Sequence, residues 1–165
     1  MFPEADGIST IISQIVKFLA VKRRLIDRVL QVWEEMAQRE LPRRDQIAPS
    51  RLGVDWENCL VIAVQSPVQL SNFVAVGKNL SVAHPGDNTL AGVLLSHLPL
   101  VLSERRCLMI EGRAMFLGVG VLYRGALYPL SEDGDAIDHV LGAANYRPLR
   151  GNGDWMKPLI RTKWL

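Results

Sequence analysis

The chain has little of what most chemistry-bearing sequences advertise. Of its 165 residues only two are cysteines, Cys59 and Cys107, and three are histidines. No CxxC pair occurs, and the scattered histidines complete no zinc-ligand spacing. Both cysteines sit in apolar runs, so buried thiols in a reducing compartment are expected rather than a disulfide. There is no Ser-containing nucleophile elbow, no P-loop and no HExxH. Gly118-Val119-Gly120 lacks a third glycine, and a strand follows it rather than a helix. No apolar run approaches the roughly 18 residues of a membrane span. The opening MFPEADGIST has no basic region, so it does not read as a signal peptide, and a cytoplasmic location is expected by default. No strong charge excess exists either. Nineteen Lys and Arg against seventeen Asp and Glu give +2, which argues against a nucleic-acid partner.

What is present is an ordinary globular composition, 48% hydrophobic and 22% charged. That suffices for one domain with its own core. Charge is unevenly placed: residues 17–51 and 147–165 are basic on balance, and the stretch between them is acidic. Lys22-Arg23-Arg24 and Arg43-Arg44 are the basic clusters, read as solvated helix faces because no aromatic residues interleave them.

Residues 8 to about 40 predict a long helix, free of Pro and Gly and cappable at Ser9 or Thr10. Apolar residues recur at alternating spacings of three and four, in a stripe wider than a coiled-coil seam. A helix of ~45 Å overhangs a domain of this size. Ile8, Ile11, Ile12, Ile15, Phe18 and Leu19 are therefore expected to form a homodimer interface. Lys22 at a core slot weakens that seam or marks a break.

Pro42 stops the helix. A polar connector leads to Cys59–Val64, a short β-branched run typical of a buried strand, and the turn at Ser66-Pro67 leads into a second strand over 68–76. His84-Pro85-Gly86-Asp87-Asn88 is a loop whose Asp87 or Asn88 can cap a helix over 89–103, kinked or divided at Pro99. Strands follow over 108–117, 119–130 and 137–146, the last two joined by a turn centred on Asp133-Gly134. Helix, β, β, helix, β, β, β is an α+β order with an antiparallel sheet. The expected organisation is an N-terminal helix or helix pair (1–40), a sheet domain (41–147) and an amphipathic C-terminal tail (148–165).

Local words fit that order. Leu41-Pro42-Arg43-Arg44-Asp45-Gln46-Ile47-Ala48-Pro49, Phe73-Val74-Ala75-Val76-Gly77, Tyr128-Pro129-Leu130-Ser131-Glu132-Asp133-Gly134 and Ile137-Asp138-His139-Val140-Leu141-Gly142-Ala143 together resemble segments of a bacterial PAS-like domain family, over about residues 30–147. The resemblance implies a five-stranded antiparallel sheet in spatial order 2-1-5-4-3 with intervening helices. It also implies a stand-alone sensory or regulatory protein, with no kinase or cyclase of its own, acting through an unidentified protein partner and with or without a small-molecule ligand. Any ligand is expected between the sheet and residues 88–103, near Asn72, His97, Met115 and Tyr123.

No cofactor can be named. Asn58-Cys59-Leu60-Val61 shares only two letters with the reactive-cysteine word of flavin-adduct PAS domains. His97 and His84 occupy places where a haem ligand can lie, but surface or satisfied histidines are the commoner case. A metal at Glu132, Asp133 and Asp135 is not expected, since a turn calls for those residues anyway. No catalytic constellation emerges, so the reading is not an enzyme. The alternatives are a small α+β enzyme, for which Glu111, His139 and Tyr123 are the only acid or base candidates in the strands, and a ligand-free adaptor with a filled apolar interior.

Overall fold

A computed structural model describes residues 24–47, 49–80, 89–116, 119–149 and 160–165. Its centre is a six-stranded antiparallel sheet in the order β2-β1-β5-β4-β3-β6. The strands are β1 (Cys59–Ala63), β2 (Asn72–Val76), β3 (Leu108–Phe116), β4 (Val119–Leu130), β5 (His139–Pro148) and β6 (Ile160–Trp164). The first five stand in the expected order 2-1-5-4-3. The sixth adds an edge inside what the sequence offered as a tail: Ile160, Thr162 and Trp164 alternate with Arg161 and Lys163, and Leu108 to Gly112 pair with Trp164 to Ile160.

Burial decides the architecture. Cys59, Leu60, Val61 and Ile62 are all buried, so β1 needs cover on both faces. Along β4 the same demand alternates: Leu127 faces one core, Ala126 and Tyr128 the other. Two sets of helices meet it.

On one face lie α3 (Leu90–Ser96) and α4 (Leu98–Glu104), inserted between β2 and β3. Thr89 caps α3, its Oγ1 accepting the Gly92 N–H at 2.9 Å. The cap falls one residue beyond the expected Asn88, and Asp87 and Asn88 lie outside the described residues. Of the two outcomes expected at Pro99, a kink or a division, the chain takes division: the helix breaks at His97, two residues before Pro99, because a proline is welcome in a first turn and not in a helix interior. Leu94, Leu98 and Val101 enter a core with Leu60, Ile62, Ile110 and Leu127. Leu94 approaches the sheet closely because two strand positions beneath it lack a side chain. A Cβ at Gly125 would meet Leu94 Cδ2 at 2.9 Å, and one at Gly142 would meet Leu60 Cδ1 at 2.8 Å.

The opposite face is covered by α1 (Leu25–Met36), with α2 (Pro49–Leu52) and a 3-10 turn at Gly53–Asn58 beside it. Leu25, Ile26 and Val29 are buried against Val61, Tyr128 and Leu141, at about 1.5–3 kcal/mol for each fully buried side chain. Three polar contacts fix the helix. Tyr128 Oη donates to the Ile26 carbonyl at 2.7 Å, Trp33 Nε1 donates to the Pro129 carbonyl at 2.8 Å, and Arg28 grips both Asp55 oxygens through Nη2 and Nε at 2.8 and 2.9 Å.

The described helix ends at Met36, four residues before the expected Glu40. Nothing in Ala37-Gln38-Arg39-Glu40 forbids helix. The chain leaves it to bring the Pro42 carbonyl to the Ser131 N–H at 2.9 Å, so tertiary geometry overrides local propensity. Ile8 to Leu19 lie outside the described residues.

Removing the Tyr128 hydroxyl (Tyr128→Phe) is expected to cost about 1 kcal/mol. Gly142→Ala, whose Cβ would push the Leu60 side chain aside and crowd Leu94, should cost about 1–3 kcal/mol. Urea unfolding with an unchanged slope checks both. A Gly142→Ala variant as stable as the parent would contradict the close approach.

Candidate functional site

Among the described residues, a polar cluster lies on the α1 face of the sheet, beyond the helix. Met109 of β3, like Cys107 just before the strand, packs in the α1-side core. Continuing at period two, Glu111, Arg113 and Met115 rise on the same side. Register then sets two rows. Arg161, Glu111, Arg124 and Asn145 stand opposite one another across β6, β3, β4 and β5. One step on, Arg113, Leu122 and Arg147 do the same across β3, β4 and β5.

Glu111 is the hub. Its Oε2 accepts from Arg124 Nε at 3.0 Å and Nη2 at 2.8 Å. Its Oε1 is buried and faces the Arg161 guanidinium. The Glu111 side chain is 14% exposed and Arg161 63%, so the carboxylate is sunk while a cation borders solvent. Cross-strand pairs of opposite charge contribute roughly 0.2–1 kcal/mol each. Glu111, Leu122, Arg124, Asn145, Arg147 and Arg161 border a cavity of about 430 Å³, with Gly112, Tyr123 and Tyr146 at intervening strand positions.

The four residues expected to surround a ligand are not gathered into one place. Tyr123 is buried in the core beneath α3 and α4; burial pushes its hydroxyl pKa up. His97 closes α3, half-buried, with Nδ1 2.8 Å from the Val93 carbonyl and therefore donating to it. Met115 is exposed on the opposite, α1 side of the sheet, because it is an odd-numbered β3 position. Asn72 begins the edge strand β2 and is exposed. His84 lies outside the described residues.

The acid–base candidates are also dispersed. Glu111 faces the α1 side and Tyr123 the other core, while His139 opens β5 with Nδ1 2.9 Å from Asp138 Oδ1. Asp138 Oδ2 accepts the Glu132 N–H at 2.9 Å. Glu132, Asp138 and His139 thus stand within metal-ligand reach of one another, but both Asp138 oxygens are already used in bracing the turn. Asp133 is a second brace. Its Oδ1 accepts from Asp135 N, Ala136 N and Ser131 Oγ, each at 2.9 Å, and these bonds, the Asp135 N–H first, hold its pKa below the usual carboxylate value.

Cys59 and Cys107 are free, buried thiols in the α1-side core. Burial above all pushes each up to about 12, with Asp55 adding for Cys59 and Glu34 for Cys107. The sequence missed the cluster around Glu111 because its rows appear only once register is known. Period-two placement of Glu111, Arg113, Arg124, Asn145 and Arg147 was the available signal. Among the described residues no helix is long and apolar enough to cross a membrane. Searches of protein families, curated proteins and solved structures find nothing that matches this chain.

Alkylation tests the thiols. At pH 8 the native protein should resist iodoacetamide at both cysteines and react at both in urea. The fold favours the neutral thiols, whose ordinary value is 9.0. Their contribution to stability is therefore complete below about 9 and lost as pH rises toward about 12. The urea midpoint should fall between pH 8 and 10.5, and in a Cys59→Ser, Cys107→Ser variant that part of the fall should vanish.

Proposed function

We propose that the chain is a PAS-like sensory or regulatory module that works through protein contacts rather than through catalysis. The observation that carries this reading is topological. Five antiparallel strands in the order 2-1-5-4-3, with the helices between β2 and β3 laid on one face, are what the resemblance of the local words implies.

One observation favours the ligand-free form of the reading, an adaptor. Among the described residues, the space beneath α3 and α4 is occupied by Leu94, Leu98, Val101, Tyr123 and their neighbours, all buried. Leu94 and Leu60 press on glycines 125 and 142. A ligand between that sheet face and those helices would have to displace packed leucines. The enzyme alternative has less support, because Glu111, Tyr123 and His139 do not converge.

Self-association belongs to the same proposal. From Leu25 onward the apolar stripe is spent on the chain's own sheet, where Leu25, Ile26 and Val29 are buried. The described helix begins at Leu25 after an extended Arg24, so the demand for a partner falls on the apolar residues expected from Ile8 to Leu19, which lie outside the described residues. A second copy of that segment meets it by two-fold symmetry.

Native mass spectrometry with a UV–visible spectrum tests the reading. The expected species is a homodimer of bare polypeptide without visible absorbance. A stoichiometric small molecule would replace the adaptor form with the ligand-sensing form. Deleting residues 1–20 should halve the mass measured by light scattering. A full-length chain already monomeric at tens of micromolar overturns self-association.

A further inference from the structure

The sheet has two ends, and they are not alike. Among the described residues, no segment pairs with the outer side of β2. At the other end β6 lies on β3, paired from Leu108–Trp164 to Gly112–Ile160. The Leu165 N–H donates to the Cys107 carbonyl at 2.9 Å. Antiparallel pairs alternate between bonded and non-bonded, so Met109–Lys163 and Glu111–Arg161 are the next bonded pairs. Main-chain bonds therefore run along the whole of this added strand.

Side chains hold β6 at only a few points. Ile160, Arg161, Thr162 and Lys163 are exposed, and no residue of the strand is buried. Two anchors straddle the sheet. Trp164 packs on the core beneath α3 and α4, with Arg106 Cζ 5.6 Å from its ring centroid. Leu165 packs on the α1-side core. Arg161 adds a cation against Glu111, a carboxylate sunk to 14% exposure. Two half-buried anchors and a wet ladder are a small part of what holds this fold, so β6 can open locally while the sheet stays folded. The same parts make up recognition by strand addition, in which main-chain bonds supply affinity and places for particular side chains supply specificity.

We propose that the outer edge of β3 is a strand-addition site, that residues 160–165 fill it as a displaceable plug, and that its partner is an extended basic segment of another protein. The plug defines the pattern of that segment. Glu111 calls for an arginine level with it, and the two cores call for an aromatic and an aliphatic residue three and four positions further on, where Trp164 and Leu165 now stand. Exchange of plugs between two copies of the chain gains nothing. Residues 150–159 tether each plug to its own edge, and a tether of about ten residues gives an effective concentration on the order of millimolar. A second copy's plug makes no contact that the chain's own does not. The site rests on the pairing of β3 with β6 and stands or falls separately from self-association through Ile8 to Leu19.

A fluorescein-labelled peptide of residues 159–165, Leu-Ile-Arg-Thr-Lys-Trp-Leu, titrated with the full chain and read by anisotropy, tests the site. Against the parent, the tethered plug should hold the apparent dissociation constant near about 1 mM. Trp164→Ala loosens the plug and leaves the edge intact, so the same peptide should bind that variant about tenfold tighter or more, saturably and at one site per chain. The Arg161→Glu form of the peptide and a scrambled sequence should each bind the variant about tenfold more weakly than the native peptide. In hydrogen exchange on the parent, the β6 amides should exchange ahead of those of β4 and β5. If circular dichroism shows that Trp164→Ala does not fold, Arg161→Ala replaces it, at a side chain 63% exposed, with an expected gain of about threefold. The proposal is overturned if the folded variant binds the peptide no tighter than the parent does, if the altered peptides bind as well as the native one, or if β6 exchanges only together with β4 and β5. A parent dimer that the peptide converts to monomer would make a second copy the occupant and overturn the assignment to another protein.

Discussion

A sheet whose central strands are apolar on both sides must be covered twice, and most of the structure follows from that requirement. Cys59, Leu60, Val61 and Ile62 leave β1 no wet face, and Leu127 and Tyr128 impose the same on the end of β4. The insertion between β2 and β3 supplies one cover and α1 supplies the other. The hydrogen bond from Tyr128 to the Ile26 carbonyl fixes where the second cover sits. It satisfies a buried hydroxyl that would otherwise cost about 1–3 kcal/mol, and it ends in helix backbone, so any shift of α1 along the sheet would orphan it.

The two covers differ in reach, and the difference separates the faces functionally. Under α3 and α4 the leucines and two bare glycine positions give close packing. On the α1 side the helix covers β4 and β5 only near Ala126, Tyr128, Leu141 and Ala143. Four residues further along β4 the same face turns to Arg124, then to Leu122 and its neighbours Arg113 and Arg147. The change from alanine and tyrosine to arginine along one side of one strand marks the edge of the helix. Beyond that edge polar side chains keep contact with water and with one another.

Much of this was legible without coordinates. Strands 108–116 and 119–130 appear where β-branched and aromatic runs place them, and the break near Pro99 is a local steric matter. The limits of legibility are equally physical. The departure of the chain from helix at Ala37 is set by a contact 89 residues away in sequence, between Pro42 and Ser131, and no local propensity encodes it. The strand at Ile160–Trp164 looks like an amphipathic tail until β3 offers it an edge. The Glu111 cluster was least legible. Glu111 stands in the sequence as an acid–base candidate beside His139 and Tyr123, while its partners Arg124 and Arg161 lie 13 and 50 residues away. Of the residues expected around a ligand, parity sends Met115 to one face and Tyr123 to the other.

The contact between Tyr128 and Ile26 spans 102 residues, and that between Trp33 and Pro129 spans 96. During synthesis at roughly 5–20 residues per second, α1 therefore emerges about 5–20 s before the strand that shelters it. For that interval Leu25, Ile26 and Val29 have no sheet to pack on. Closing so long a loop ahead of any reward is the step that slows folding in proteins dominated by distant contacts. The nascent chain thus presents a sticky helix on the ribosome for seconds, which makes it a client for whatever binds exposed apolar segments there. Its yield in a cell depends on that waiting time as well as on the stability of the finished fold.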